Sequence, residues 1–398
     1  MSTTKESDIA LGCRLNAYEA AGMRALADRA GLSGATIVNT CAVTAAASRE
    51  SRAAARRAAR AGPVVVTGCA AAMDPDSFSA LSGVVRVVGN AQKLDPATWG
   101  LTEGPTPTAE QVRARPIVQA QGGCDHACTF CVTTIARGPA SSRPTRAIVD
   151  EVRALVSLGA HEVVLSGVDL ASWRGGRARL GDLVRHILRT VPDLGRLRLS
   201  SLDPAALDET LWETLEREAR LCPHLHLSVQ AGDDAVLKRM ARRHRRADIL
   251  DIAARARGVR PDVALAADLI AGFPGEDDAA FAHTLSLVRE AGFAFCHVFA
   301  YSPRPGTAAA RMAPQVPHAV RRRRAAVLRA EGDRAGAAFL EAQKGRRAVV
   351  VVEEGGQAGR TEHFVPVALD RPAPASAAVR VVLGRALPGG RVEAQVVA

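Results

Sequence analysis

GGCDHACTFC, the run from Gly122 to Cys131, sets Cys124, Cys128 and Cys131 in a C-x3-C-x2-C pattern. Three thiolates on one short loop can hold three irons of a 4Fe-4S cube and leave the fourth iron open, which a structural four-thiolate site does not do. An open iron can take a substrate-like ligand. The alternatives for such a loop are a zinc knuckle or a disulfide fragment. Zinc sites favour paired C-x2-C units with a fourth Cys or His in a second, similar pair, so three close cysteines fit them poorly. His126 lies inside the loop, where its backbone neighbours make it an awkward fourth ligand.

Outward from the loop the chain alternates between two periods. Pro116–Ala120, Glu162–Ser166, Arg196–Ser200, His224–Val229, Val263–Ile270 and Phe293–Tyr301 read as strands, with helical stretches at Thr145–Leu158, Ala178–Thr190, Pro204–Glu218, Ala235–Ala241, Ala247–Arg257 and Asp278–Ala291 between them. Six βα units with right-handed crossovers close into an incomplete (β/α)6 barrel, and the cysteine loop follows its first strand, at the face where barrel active sites sit.

Upstream, three short apolar runs end in Gly12-Cys13, Asn39-Thr40-Cys41 and Thr67-Gly68-Cys69, with the cysteines spaced 28 residues apart. Each interval is one βα repeat, so the three thiols meet at the carboxyl edge of one parallel sheet and form a second three-cysteine site. An inert buried cysteine is the plain reading of any one of them. Three in register read as cluster ligands. Thr102–Ala109 is polar and Pro-bearing, a linker. Downstream, a basic helix spans about Pro317–Gln343, and from Arg347 the chain reverts to Val-rich alternation with Gly turns, a small antiparallel β-barrel. The fold class is α/β, with a parallel-sheet domain over 1–100, a linker over 101–114, a partial barrel over 115–343 and the small barrel over 344–398.

The 398 residues are 47% hydrophobic, enough for two substantial cores. No apolar run is long enough to span a bilayer and the N-terminus lacks the pattern of a signal peptide, so a cytoplasmic protein without membrane contact is expected. Eight cysteines in such a chain argue for metal or redox chemistry over a disulfide framework. The net charge of +11, with runs at Arg242–Arg246 and Arg321–Arg324, makes a polyanionic partner plausible, although Arg written across solvated helix faces has the same composition. Aromatics at 4% are too few for a non-specific stacking platform. Cys222 and Cys296 read as structural. His224 and His226 share one side of a strand and read as a core or barrel-lining pair.

Taken together, LGCRLNAYE (Leu11–Glu19), NTCAVT (Asn39–Thr44), TGCAA (Thr67–Ala71), GCDHACTFC (Gly123–Cys131), LHLSVQAGDDAVLKRMARRH (Leu225–His244), DLIAGFPGE (Asp268–Glu276) and SPRPGT (Ser302–Thr307) resemble the methylthiotransferase family of radical S-adenosylmethionine (SAM) enzymes. TEHFVPV (Thr361–Val367) resembles its C-terminal RNA-binding TRAM barrel. The resemblance covers nearly the whole chain. It implies a SAM-cleaving cluster on Cys124, Cys128 and Cys131 and an auxiliary 4Fe-4S cluster on Cys13, Cys41 and Cys69 that carries the sulfur unit. One SAM yields the radical that removes hydrogen from carbon 2 of an adenine, and a second SAM supplies the methyl.

GVDLASW (Gly167–Trp173), RLRLSS (Arg196–Ser201) and PHLHLSVQAGDD (Pro223–Asp234) are most similar to the branch acting on N6-threonylcarbamoyladenosine at position 37 of tRNA. Other branches act on N6-isopentenyladenosine in tRNA or on an aspartate of a ribosomal protein. A rival outside enzymology is a basic RNA-binding protein with a structural cluster, which does not require six cysteines split three and three. Asp169, Ser201, Gln230, Asp268 and Glu276 are expected to orient SAM, with Gly272 and Gly275 allowing close approach. Each polar residue has a plain alternative as a cap or barrel ion pair. Arg242, Arg243, Arg245, Arg246, the helix near Arg321 and the C-terminal barrel are candidate phosphate contacts. A flavodoxin- or ferredoxin-type electron donor and a monomeric state complete the expectation. The chain departs from the family at Thr134-Ile135, where Pro-Tyr is common, and at Ala266, where Gly is common.

Overall fold

Short β-branched runs separated by Ala-rich stretches leave the chain little choice but alternating strands and helices. The computed structural model describes residues 8–103 and 114–397. Strands β1 (Ile9–Ala10), β2 (Thr36–Thr40), β3 (Val64–Gly68) and β4 (Val84–Val87) pair in chain order as one parallel sheet. Helices α1 (Arg14–Arg29), α2 (Ala45–Ala61), α3 (Cys69–Met73) and α4 (Pro75–Ser79) connect them. Alternate strand residues face opposite layers. Val38, Val64 and Val66 pack with Ala55, Ala58 and Phe78, whereas Ile37 and Val65 pack with Met23, Leu26 and Trp99. Burial on both faces explains why these strands read as unbroken apolar runs. Of the expected linker, residues 104–113 lie outside the described residues.

The second alternation is also where the sequence places it. It comprises β5 (Ile117–Gly122), α5 (Thr133–Arg137), β6 (Ser141–Ser142), α6 (Thr145–Ser157), β7 (Glu162–Gly167), α7 (Leu180–Thr190), β8 (Arg196–Leu199), α8 (Glu209–Arg217), β9 (His224–Gln230), α9 (Asp234–Arg239), α10 (Arg246–Val259), β10 (Ala264–Ala271), α11 (Asp278–Glu290) and β11 (Phe295–Ala300). The ladder runs in two pieces, β6-β5-β7-β8 and β11-β10-β9. Between them β8 stops at Leu199, and isolated parallel bridges make the connection: Leu197 to Leu221, and Leu202 to Leu227 through Leu202 N–H to His226 O at 2.8 Å and Ser228 N–H to Leu202 O at 2.9 Å.

The long helix α12 (His318–Glu341) leads into β12 (Arg347–Val352), β13 (Ala358–Arg360), β14 (Pro366–Leu369), β15 (Ala378–Leu387) and β16 (Arg391–Val396), a closed barrel in the order β12-β13-β14-β16-β15. One pairing departs from the antiparallel expectation. β15 pairs with β12, so β16, returning from it as a hairpin, runs parallel to β14.

Two compact units result. The first joins residues 8–103 to Gln121–Ser141 and Ser302–Ala310, so the cysteine loop belongs with the parallel sheet, and the second holds the remaining described chain. Within the second unit, Glu162 is fully buried and accepts from Arg196 Nε at 2.5 Å and Arg198 Nε at 2.7 Å. The other guanidinium nitrogens donate to carbonyls of the small barrel: Val349 at 2.7 Å, Arg360 at 2.9 Å, and Thr361 and Glu362 at 3.0 Å. One carboxylate thus orients two arginines that fasten the small barrel to β8.

Burial pushes the Glu162 carboxyl up, but the charges of Arg198 and Arg196 outweigh it and bring its pKa to about 2. A depressed carboxyl adds stability that is complete above the unfolded value of 4.5 and is lost as pH falls towards about 2. Glu162→Gln should therefore cost roughly 3 kcal/mol at neutral pH by leaving two buried guanidinium groups uncompensated. Urea titrations at pH 7 and pH 3 check this: the variant's deficit shrinks at the lower pH.

Candidate metal centres

Cys13 stands at the N-cap of α1 just past β1, Cys41 directly follows β2, and Cys69 opens α3 directly after β3. In a parallel sheet these three positions share the carboxyl edge. Two glycines make the approach possible. Gly12 has φ +84°, and a Cβ there would fall 2.3 Å from Cys41 Sγ. Gly68 has φ +95°, and a Cβ there would fall 2.3 Å from Thr40 O. Cys41 is buried, and burial pushes its thiol up. The thiols of Cys13 and Cys69 push it further, while the Val43 amide and Arg137 oppose them.

The loop of Cys124, Cys128 and Cys131 is shaped by its own backbone. Cys124 N–H donates to Gly138 O and Cys131 N–H to Cys128 O, both at 3.1 Å, and Ala140 N–H donates to Asp125 Oδ1 at 2.8 Å. Gly123, at φ +64°, passes so close to Pro139 that a Cβ would meet its carbonyl oxygen at 1.8 Å. Amides already point at sulfur: His126 N–H reaches Cys124 Sγ, and Thr133 N–H reaches Cys131 Sγ, at 3.4 Å each. Such contacts stabilise thiolates. Thr134 and Ile135 occupy the exposed side of α5, whose inner side carries the buried Ala136, so the departure from Pro-Tyr disturbs no packed position.

Between the two cysteine sets lies a charged network that sequence reasoning missed. Glu19, on the buried face of α1, has only 2% of its side chain exposed. It accepts from Lys93 Nζ at 2.6 Å and from Arg137 Nη1 at 2.6 Å. Arg137 ends the helix that follows the cysteine loop, and it also donates to Asn16 Oδ1 at 2.7 Å. Lys93 donates to Asn90 Oδ1 at 2.8 Å, while Asn90 Nδ2 donates to Ala136 O at 2.6 Å and approaches Cys69 Sγ at 3.7 Å. Two cations against one carboxylate leave a positive charge beside Cys13 and Cys69, whose thiols in turn help hold Arg137 charged. Arg304, in the SPRPGT segment, is buried near Cys41 and donates to Ser48 Oγ at 2.7 Å. Ala309 N–H, two residues past that segment, donates to Thr129 O in the loop at 2.8 Å. Asn16 and Glu19, three residues apart on an otherwise Ala-rich helix, were the available signal.

In the second unit, Asp169, Ser201 and Gly272 sit just past the ends of β7, β8 and β10, and Gln230 is the last residue of β9. Gln230 holds φ +73°, a conformation a side chain adopts at a cost. Gly272, at φ +77°, runs against α12, and a Cβ there would lie 2.9 Å from Arg321 Cα. Glu276 is buried, and its Oε1 accepts from Gly272 N–H at 2.8 Å and Arg324 Nη1 at 2.9 Å, while its Oε2 has no hydrogen-bond partner among the described residues. Asp268 lies mid-strand and bonds to His226 and His297. His224 and His226 diverge: among the described residues neither ring nitrogen of His224 finds a partner, and burial keeps that ring neutral. Burial pushes the Cys222 thiol up to about 11 and the Cys296 thiol up to about 12, which suits inert structural roles.

The arginine run is largely structural. Arg242 faces Asp203 and donates to Ser228 O, Arg246 binds Glu290, Ser286 and the carbonyls of Gly232 and His283, and Arg321 donates to Tyr301 O. Arg243 and Arg245 remain exposed, as do Arg322 and Arg323 on α12 and Arg371, Arg380, Arg385 and Arg391 on the small barrel.

Known proteins match both halves. The model of the Radical SAM superfamily matches residues 118–288, and that of "Uncharacterized protein family UPF0004" matches residues 8–89. The threonylcarbamoyladenosine tRNA methylthiotransferase MtaB of Rickettsia prowazekii is 38% identical over 388 residues, covering 92% of this chain and 92% of that protein. The tRNA-2-methylthio-N(6)-dimethylallyladenosine synthase of Erythrobacter litoralis is 43% identical over 242 residues, 60% of this chain and 54% of that protein. Among solved structures, the radical S-adenosylmethionine methyltransferase TsrM of Kitasatospora setae shares the fold, with a TM-score of 0.52 and 16% identity over 71% of this chain and 66% of that one. Six cysteines in two sets, on the two domains those models describe and along the full span shared with the Rickettsia protein, assign the chain to the methylthiotransferase family of radical SAM enzymes, in the MtaB branch.

Proposed function

We propose that this enzyme converts N6-threonylcarbamoyladenosine at position 37 of tRNA to its 2-methylthio derivative, using two 4Fe-4S clusters and two molecules of SAM. The observation that carries the reading is the pair of three-cysteine sets within one compact unit, joined by the network of Glu19, Lys93 and Arg137. The donor sets suit such groups. Each offers three thiols outside any disulfide, one set beside positive charge and the other beside backbone amides, as anionic clusters require. Cys124, Cys128 and Cys131 hold the first cluster, and Cys13, Cys41 and Cys69 the auxiliary one. When bound, these groups supply a carbon radical from SAM and the sulfur to be inserted.

The chain's own residues then position and exclude. Asp169, Ser201 and Gln230, at successive strand ends, orient SAM, and Gly272 keeps the neighbouring backbone close. Glu276 serves from behind by fixing the turn through Gly272 N–H and Arg324. The exposed arginines of α12 and of the small barrel take tRNA phosphates. The threonylcarbamoyl substrate follows the Rickettsia relative, which this chain matches over 92% of its length. A flavodoxin- or ferredoxin-type protein delivers the electrons, and the enzyme works as a monomer in the cytoplasm. No helix among the described residues is long and apolar enough to cross a membrane.

Two measurements test this reading. Anaerobic reconstitution should give about eight irons per chain, falling to about four when Cys13, Cys41 and Cys69 are replaced by Ala. A content of four in the unchanged protein removes the auxiliary cluster. Mass spectrometry of tRNA nucleosides from a deletion strain should show the methylthio derivative of threonylcarbamoyladenosine lost. Its persistence overturns the substrate assignment.

The network has its own consequence. Arg137→Met should destabilise the cluster-free protein by roughly 3 kcal/mol, since a buried carboxylate loses one of two cations. It should also lower iron uptake at the auxiliary site. Thermal unfolding of the cluster-free protein and iron analysis after reconstitution check the two effects separately.

A further inference from the structure

The second unit carries a polar layer that neither the cluster sites nor the SAM contacts absorb. On β9, β10 and β11, Leu225, Leu227, Leu265, Ala267, Leu269, Val298 and Ala300 pack into the helix-covered core. Their alternates therefore face the opposite side of the strands, the barrel interior. That interior is stratified by register. At its base, His224 and Phe295 lie against Phe364 of the small barrel, with ring centroids 5.0 Å apart for His224 and 6.3 Å for Phe295. Two residues further along, Asp268 pairs in register with His297, and its Oδ1 meets His226 Nε2 at 2.9 Å and His297 Nδ1 at 3.2 Å. Another two along, Phe299 is 42% exposed, an unusual degree for a phenylalanine on a strand that lines a barrel.

The middle layer has the form of a receptor. Both imidazoles spend one nitrogen on the same carboxylate oxygen, and the other oxygen of Asp268 takes Ser201 Oγ at 3.4 Å. Burial pushes the Asp268 carboxyl up, but the bonds from His226 and His297 hold it well below the usual carboxylate range, so it is an anion that fixes both rings. The rings meet edge to face with centroids 4.9 Å apart. Among the described residues the second nitrogens, His226 Nδ1 and His297 Nε2, are left for another partner, and His297 is 52% exposed. In its charged form an imidazole donates from both nitrogens. A ring protonated on both nitrogens bridges Asp268 to an oxygen of whatever enters.

We propose that His226 and His297, oriented by Asp268, bind the carboxylate of the amino-acid substituent carried by the substrate adenosine, and that the base stacks on Phe299. The inference rests on the threonylcarbamoyl reading above. A threonyl group brings a carboxylate to this layer, whereas a dimethylallyl group is a hydrocarbon that would strip water from the rings and return no hydrogen bond. His226 and His297 are specificity-determining residues in this arrangement. Asp268 is a positioning residue, held there and not on SAM. An exposed aromatic ring suits a base splayed out of a single-stranded loop.

The test compares two forms of one substrate on the reconstituted full-length enzyme: tRNA bearing threonylcarbamoyladenosine, and the same tRNA with that carboxylate converted to its methyl ester. Product is read by mass spectrometry under single-turnover conditions. The unchanged enzyme should prefer the acid by roughly ten- to a hundredfold, the worth of one hydrogen bond between charged groups. His297→Ala and His226→Ala should lower the rate on the acid towards that on the ester and so abolish the preference. His297→Gln, which keeps a donor, should retain part of it. Phe299→Ala should slow both substrates alike. Equal rates on acid and ester by the unchanged enzyme, or a full preference surviving in both alanine variants, overturns the proposal and leaves the substrate assignment standing. Failure to modify the acid at all overturns both. The comparison on the unchanged enzyme decides the matter even where a variant does not fold.

Discussion

Glu19 is the constraint on which the first unit turns. A carboxylate with 2% of its side chain exposed cannot stay ionised alone, and Lys93 and Arg137 resolve the problem from two different parts of the chain. Burial pushes its carboxyl up, and the two cations more than reverse the shift. The consequence is geometric. Lys93 follows the last strand of the sheet, while Arg137 follows the second cysteine loop, so one buried anion sets the position of α5 relative to α1. Any displacement of α5 would leave a charge uncovered, which costs far more than a lost surface contact. The cysteines that precede α1 and α5, Cys13 and Cys131, are thereby held in a fixed relation without a covalent link. SPRPGT and the turn after it make a second tie, through Arg304 to Ser48 after Cys41 and through Ala309 to Thr129 in the loop.

This explains which parts of the site could be read from sequence and which could not. The equal spacing of Cys13, Cys41 and Cys69 was legible because a βα repeat has a characteristic length and a parallel sheet gathers its strand ends at one edge. The barrel strands were legible because both periodicities were strong, and observed and expected bounds differ by a residue or two. That Arg242, Arg246 and Arg321 pair inside the protein was not legible, for an equally physical reason. Their partners, Asp203, Glu290 and the carbonyl of Tyr301, lie 20 to 44 residues away, and a charge run carries no information about what it faces at that range. The parallel pairing of β14 with β16 was hidden likewise, since alternation reports strands and not their neighbours. Glu19 announced itself only as a charged residue on an Ala-rich helix.

The second unit solves a comparable problem with the same ratio of charges. Glu162 is one anion shared by Arg196 and Arg198, but here the surplus positive charge is spent on four backbone carbonyls of the small barrel. Neutral oxygens take most of the remaining donors, and the Glu362 carboxylate stands 3.6 Å from Arg196 Nη1. In the first unit the surplus meets cysteine thiols instead. The same two-to-one ratio of arginine or lysine to glutamate therefore closes one interface and leaves the other prepared for an anionic guest.

The fastening of the small barrel bears on what the barrel interior can hold. Phe364, at φ +67°, is kept in a strained conformation by the guanidinium groups of Arg198 and Arg360, 5.0 and 4.5 Å from its ring centroid, and by His224. That ring closes the base of β9 and β11 with apolar contacts, leaving His224 dry and neutral. One layer above, His226 and His297 are less buried than His224 and share Asp268 as a partner. Without an anion a buried imidazole sheds its charge, and with one it can keep a proton and offer it. Asp268 therefore divides a column of similar residues into a hydrophobic floor and a polar layer, and a ligand entering this interior meets charge before it meets the floor.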